Sequence, residues 1–136
     1  MPHYMLDTNM VSHVLKQQAA VMDRLQSVPM ASLCISAITH AEISYGLAKK
    51  PDAHTLHRAV AEFLLRVAVL PFDEQAAQDY GLLKAGIEGM GKSLAPLDML
   101  IAAHAHSIGA TLISNDQAFH KITGLAVQDW TQPDPD

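Results

Sequence analysis

Four acidic residues fall where the pattern of this chain changes from strand to helix, or early in the helix that follows, and side chains of that kind bind hard cations. Asp7 follows the apolar run Tyr4-Met5-Leu6 and precedes Thr8-Asn9 and a helical pattern. Asp116 follows Thr111-Leu112-Ile113-Ser114-Asn115, and Asp98 sits just inside a helix introduced by Pro96. Glu42 lies in a helical stretch in register with Ile38, Ala41 and Tyr45, which predicts a charge beside an apolar stripe rather than a solvated one. Each acid also has an ordinary structural role open to it. Asp7, Thr8 and Asn9 are helix-capping types, and Thr8 or Asn9 can supply the cap if Asp7 does not. Asp98 suits the first turn of any helix, Asp116 a cap or turn, and Glu42 the margin of a stripe from which it reaches water.

The elements around these acids decide whether they meet. Hydrophobic spacing predicts a strand at residues 3–6, a helix at 9–16 and another at 19–28 that Pro29 ends. A strand follows at 32–35, then a helix capped by Ser36 and running to about 49. Asp52 is expected to cap the next helix, in which Leu56, Ala59, Val60, Phe63, Leu64 and Val67 form one apolar stripe. Residues 68–70 read as a strand, 74–88 as a helix, and Gly89-Met90-Gly91-Lys92-Ser93 as its loop. A helix at 97–107 is closed by Gly109, and a strand at 111–113 leads to a helical turn through Phe119 and a last strand at 126–128. Alternation of this kind implies an α/β fold with a mainly parallel sheet of four to five strands between helical layers. Residues 1–131 are expected to form one domain, with 132–136 a flexible, acidic, Pro-rich tail. In a parallel sheet all strand ends face one way, and ligands sit beyond the carboxyl ends. The four acids are therefore expected on one rim. Clustered carboxylates repel one another unless protonated or neutralised, and oxygen-only donors suit Mg²⁺ or Mn²⁺.

Composition narrows the function further. A net charge of −5 argues against broad electrostatic capture of nucleic acid, so any such partner is held by a few local contacts. Lys16, Lys49, Lys50 and the loop residue Lys92 are the candidates, although solvated surface is open to each. The lone Cys34 excludes an internal disulfide and reads as a buried thiol on a strand. No apolar run approaches the roughly 18 residues of a membrane span, and no signal peptide is apparent, so a cytoplasmic protein with no membrane partner is expected. His104 and His106 point different ways on a helix, and His54 and His57 lack a Cys or His-Glu-x-x-His companion, which leaves no zinc site. No Gly-rich turn joins a strand to a helix for a nucleotide. An aspartyl phosphatase needs a second Asp two residues after the first, where this chain has Asn9, and a receiver domain needs adjacent acids that are absent.

In their order and wording the stretches Leu6-Asp7-Thr8-Asn9, Ile35-Ser36 to Ala41-Glu42, Pro96-Leu97-Asp98 to Ile101-Ala102, and Ser114-Asn115-Asp116 resemble the motifs of PIN domains. More narrowly they resemble VapC-type toxins of VapBC toxin–antitoxin systems, and Val127-Gln128-Asp129-Trp130 extends the likeness almost to the end of the chain. The resemblance implies a three-layer α/β/α sandwich and a metal-dependent endoribonuclease that inhibits translation and growth when free of its antitoxin. Asp7, Glu42, Asp98 and Asp116 would be catalytic and would bind one or two Mg²⁺ or Mn²⁺ ions, with Asp116 at the family's most variable position. Thr8, Asn9, Ser114 and Asn115 would orient carboxylates, water or the scissile phosphate. A transfer RNA is among the substrates implied. It also implies a VapB-type antitoxin lying in a hydrophobic groove, for which Val11, Val14, Leu15, Val21, Leu25, Leu47 and Leu64 are candidates, a homodimer, and contact with operator DNA only through the antitoxin. Two other readings compete: a PIN-type nuclease acting in RNA maturation or on DNA, and a non-catalytic α/β interaction module.

Overall fold

In the computed structural model, which describes residues 3–133, five short strands form one parallel sheet in the order β3-β2-β1-β4-β5. The strands are β1 (Tyr4–Leu6), β2 (Leu33–Ser36), β3 (Ala68–Leu70), β4 (Thr111–Ile113) and β5 (Val127–Gln128). The helices are α1 (Thr8–Leu15), α2 (Ala19–Gln26), α3 (Ala37–Ala48), α4 (His54–Arg66), α5 (Glu74–Gly89), α6 (Pro96–Ser107) and the short α7 (Gln117–His120). Every strand pairing is parallel, with Leu6 opposite Ile113 and Met5 between Cys34 and Leu112.

Strand side chains alternate between faces, and that alternation divides the core. Met5, Cys34 and Leu112 point to one side, where Ile87 of α5 and Met99, Ile101, Ala102 and Ala105 of α6 cover them. Leu6, Ile35 and Ile113 point to the other, beneath Met10 and Val11 of α1, Val21 of α2 and Phe63 of α4. Trp130 closes that second side against Tyr4. The result is the expected three-layer α/β/α arrangement. α3 is shared: Ile38 packs on the first cluster and Ile43 on the second.

Two expectations need correction. Asp52 does not cap α4; the cap position is Ala53, with no side-chain bond, and the Asp52 carbonyl instead accepts the His54 N–H at 2.9 Å. The turn Lys50-Pro51-Asp52 shifts the helix start one residue beyond the acid. A single 3₁₀ turn, Met30–Ser32, also separates Pro29 from β2, closed by the Ser32 N–H to the Pro29 carbonyl at 3.0 Å. At the end of α6, Gly109 adopts φ +68, the left-handed conformation that lets the Ala110 N–H reach back to the Ala105 carbonyl at 3.0 Å. Of the C-terminal stretch 132–136, Gln132 and Pro133 are exposed and outside helix and strand, and 134–136 lie outside the described residues. Among the described residues no helix is long and apolar enough to cross a membrane.

Candidate active site

Pairing between β1 and β4 ends at Asp7, whose N–H donates to the Ile113 carbonyl at 3.1 Å. The chain then turns directly into α1, and Asp7 is itself the N-cap: its Oδ1 accepts the Met10 N–H at 2.7 Å. The cap is therefore not supplied by Thr8 or Asn9, because the helix starts one residue earlier than its apolar spacing suggests. Capping and burial act on the same carboxylate. Asp7 is 3% exposed, and burial raises its pKa from 3.8 to about 6. The Ser114 hydroxyl and the Met10 N–H pull it back, while the charges of Asp98 and Asp116 push it further up.

Asp98, in the first turn of α6, is half-buried, and its pKa is raised by burial and then by the charges of Asp116 and Glu42. Asp98 is thus within electrostatic reach of Asp7, Asp116 and Glu42, at the end of the sheet where β1 and β4 give way to helix. Asp116 caps α7, accepting the Ala118 N–H at 2.9 Å, and its own N–H donates to the Ser114 hydroxyl at 3.0 Å. Glu42 is half-buried, and its Oε1 accepts the Thr8 hydroxyl at 2.6 Å. Ser114 is fully buried, whereas Asn9 and Asn115 are exposed.

The position of Glu42 has a different cause from the one its register suggests. Ala41 and Tyr45 are exposed, Tyr45 by 66%, so no apolar stripe runs beside it. α3 lies across the end of the sheet and shares its apolar residues between two clusters, and Glu42 is held by Thr8 across the gap to α1. Thr39, one turn before Glu42 and fully buried, stands 3.3 Å from the Thr8 hydroxyl. Its i−3 spacing from Glu42 is the signal that marks it, because residues three apart share a helix face.

A second buried contact holds the acid-bearing helices together. His104 of α6 is 1% exposed, and its Nδ1 lies 2.8 Å from the Ser36 hydroxyl, which also accepts the Ile38 N–H at 3.0 Å. A hydroxyl has two lone pairs and one proton, so with one lone pair engaged by Ile38 it can still pair with either tautomer of a neutral imidazole. Burial pushes the His104 pKa down, against the opposing charge of Asp73. The contact joins the helix carrying Asp98 to the start of the helix carrying Glu42.

The donor set is made of oxygens, which fits a hard divalent cation. Two observations support that fit: neighbouring acid charges raise the proton affinity of Asp7 and Asp98, and the more buried Asp7 has no basic partner among its influences. Among the described residues, no three His, Cys, Asp or Glu side chains stand close enough, as they lie, to enclose an ion. Asp7, Glu42 and Asp116 each engage one oxygen with a neighbouring N–H or hydroxyl. Cys34 is no alternative nucleophile, since it is buried and its thiol is pushed up to about 11.

On the far end of α1 a groove of about 410 Å³ opens between α1, α2 and α4. Val14, Leu15, Met22, Leu25 and Phe63 line it, and Arg58, Glu62 and Arg66 stand at its rim. Of the residues expected there, Val14, Leu15 and Leu25 line the groove. Val11 and Val21 instead lie in the core beneath it, Leu64 packs against that core, and Leu47 lines a separate cavity.

A family model for the PIN domain matches residues 4–125. The chain is 33% identical over 130 residues to the tRNA(fMet)-specific endonuclease VapC of Shigella flexneri, covering 94% of this chain and 98% of the relative. It is 35% identical over 129 residues to the protein of the same name from Salmonella typhimurium, covering 93% and 97%. Among solved structures, DNA-bound VapBC from Salmonella typhimurium aligns with a TM-score of 0.88 at 32% identity, over 96% of this chain and 99% of that one. FitAcB from Neisseria gonorrhoeae aligns with a TM-score of 0.81 at 29% identity, over 93% and 97%.

Proposed function

This chain belongs to the PIN domain family, and from that membership we propose that it is a VapC-type toxin, an endoribonuclease that hydrolyses RNA phosphodiester bonds. The observation that carries the chemistry is the placement of acids at strand ends and helix starts of the parallel sheet: Asp7 caps α1 directly after β1, Asp116 follows β4, Asp98 opens α6, and Glu42 is tied to Thr8 beside Asp7. Names of the Shigella and Salmonella relatives favour a transfer RNA as substrate.

Asp7, Glu42, Asp98 and Asp116 are the residues that would hold Mg²⁺ or Mn²⁺. Such an ion, when bound, lowers the pKa of water and offsets charge on the transferring phosphate. The chain's part is to present the carboxylates ionised and aimed. Asp7 is anchored by its cap, with Oδ1 accepting the Met10 N–H, and the Ser114 hydroxyl steadies the same carboxylate. Thr8 fixes the rotamer of Glu42 through a short hydrogen bond. Ser114 holds the backbone turn that brings Asp116 over the strand end. With a pKa of about 6, Asp7 is ionised at neutral pH and takes up a proton as the solution becomes mildly acidic.

The groove between α1, α2 and α4 is the place for a VapB-type antitoxin, whose amphipathic segment would lay its apolar face on Val14, Leu25 and Phe63. Operator DNA would then be reached only through the antitoxin, as the DNA-bound VapBC complex from Salmonella typhimurium suggests. Residues 1–131 form the functional domain, the toxin acts in the cytoplasm, and it pairs as a homodimer. The test is cleavage of cellular RNA by purified protein with Mg²⁺ or Mn²⁺ and with EDTA, beside growth on expression. Metal-dependent cleavage and growth arrest, both removed in Asp98→Asn, are expected. Full activity of that variant, or of the wild type in EDTA, would sink the assignment.

A further inference from the structure

A cavity of about 220 Å³ opens beside Glu42, away from the apolar groove's centre. Its lining brings Thr8 and Glu42 together with Gly46, Lys49 and Lys50, on a wall otherwise built of aliphatic side chains such as Leu47 and Leu56. The volume is below the roughly 300–1,000 Å³ of pockets that take a whole drug-sized molecule, so it has room for one base or sugar. One carboxylate and two lysines therefore share its lining. Lys49 is not free to wander: its Nζ sits 4.5 Å from the centroid of the exposed Tyr45 ring, one helical turn earlier.

Gly46 is the glycine in this cavity's lining, and it is the position from which a side chain can fill it. It lies in the middle of α3, where Gly is a poor helix former, and it is neither at a turn nor at positive φ. A Cβ built there meets no atom within 4 Å. Packing within the fold therefore does not require glycine. Helix side chains lean toward the N-terminus, so any side chain at 46 would lie over the turn containing Glu42, inside the cavity. What a larger residue would displace is the cavity's occupant.

We propose that this cavity is a nucleotide subsite, which takes the RNA residue flanking the scissile bond between Gly46 and Leu56 while Lys49 and Lys50 hold the adjoining phosphate. It rests on the ribonuclease reading and adds where the strand runs: from the acid rim along α3 toward its C-terminal end. Phosphodiester charge favours RNA here, since the two lysines face an anion and the acids, once they hold a cation, do so too.

The experiment measures binding of a fluorescein-labelled single-stranded oligoribonucleotide by anisotropy in EDTA, so that binding is read without cleavage. Gly46→Ala and Gly46→Leu are compared with wild type, beside the double variant Lys49→Gln, Lys50→Gln. Gly46→Ala should raise Tm by about 2–4 °C, because alanine favours the helix, yet weaken RNA severalfold. Gly46→Leu should weaken it about tenfold or more, and the lysine variant should lower the salt dependence by about 0.7 in log–log slope, as expected for the one phosphate the two lysines hold. RNA binding by both Gly46 variants equal to wild type, with Tm held, overturns the proposal. Loss of antitoxin binding alone, with RNA binding intact, also overturns it and gives the cavity to the protein partner. If wild type binds RNA in a Gly46-dependent way but never cleaves it, the subsite stands and the nuclease reading falls.

Discussion

One helix of two turns serves two unlike surfaces. The start of α1 contributes Asp7 and Thr8 to the acid rim, and its end contributes Val14 and Leu15 to the apolar groove. An eight-residue helix is roughly 12 Å long, so the two surfaces are near neighbours, yet they depart from a well-satisfied fold in opposite ways. The rim keeps like charges together and partly buried. The groove leaves apolar surface open to water. A charge cluster is relieved by a cation and an apolar trough by a helix, which is why one surface is suited to chemistry and the other to a protein partner. Proximity also lets a partner seated in the groove reach the rim.

The sharpest way to break this division is to strike each surface and read both functions. Asp98→Asn should lower RNA cleavage about 10²–10³-fold or more and leave antitoxin capture at wild-type strength in a pull-down. Ala59→Glu, which puts a carboxylate among the groove's apolar lining, should do the reverse. Partner affinity by calorimetry should fall about a hundredfold, with cleavage unchanged. A single variant that removes both activities without unfolding the protein would show that rim and groove are one site.

Thr8→Val tests the link at the top of α1, since it keeps the shape and removes the hydroxyl that holds Glu42. The Mn²⁺ concentration for half-maximal cleavage should rise about 10–100-fold, while circular dichroism is unchanged; an unaltered metal requirement would reduce Thr8 to a packing residue. The smallest effect is on stability. Below pH of about 4 Asp7 is neutral in folded and unfolded chains alike. From there to about 6 the folded state retains a proton that the unfolded chain has released, so metal-free stability falls as pH rises, then levels off. Asp7→Asn keeps the cap and removes that loss. Chemical denaturation at pH 7.5 should show a gain of about 1–3 kcal/mol, shrinking toward zero at pH 4, and no such gain would mean the Asp7 charge is compensated in solution.

The two surfaces also differ in how far they can be read from residues alone. Asp7, Asp98 and Asp116 stand at strand ends or helix starts, and a parallel sheet sends every such end to one rim, so pattern and topology together bring them side by side. Fold class, the alternation of strands and helices and the helix boundaries near Ser36, Asp73 and Pro96 follow from the same local signals, whereas the order β3-β2-β1-β4-β5 is set by tertiary packing. Glu42 follows from the same topology, since its helix leaves the end of β2, but the apolar stripe expected beside it is absent: Tyr45 and Ala41 face water and α3 spreads its apolar residues over two clusters. The groove is harder still. Val11 and Val14 have the same side-chain type and the same helical spacing, but the first is core and the second is groove wall. Only the position of α2 and α4 decides between them, and that information is tertiary. Ser36 and His104, 68 residues apart and 2.8 Å from one another, are likewise invisible until β2 and α6 are packed.

The sheet order carries a consequence for the life of the chain. β1 sits between β2 and β4, so Asp7 meets Glu42 early in the sequence and meets Asp98 and Asp116 only through the last third of it. On a ribosome the first half of the rim emerges well before the second, and β4 cannot pair with β1 until Thr111 to Ile113 have left the exit tunnel. A nascent chain is thus harmless to the RNA that surrounds it for most of its synthesis. The rim is assembled only once β4 has joined the sheet and brought Asp116 beside Asp7.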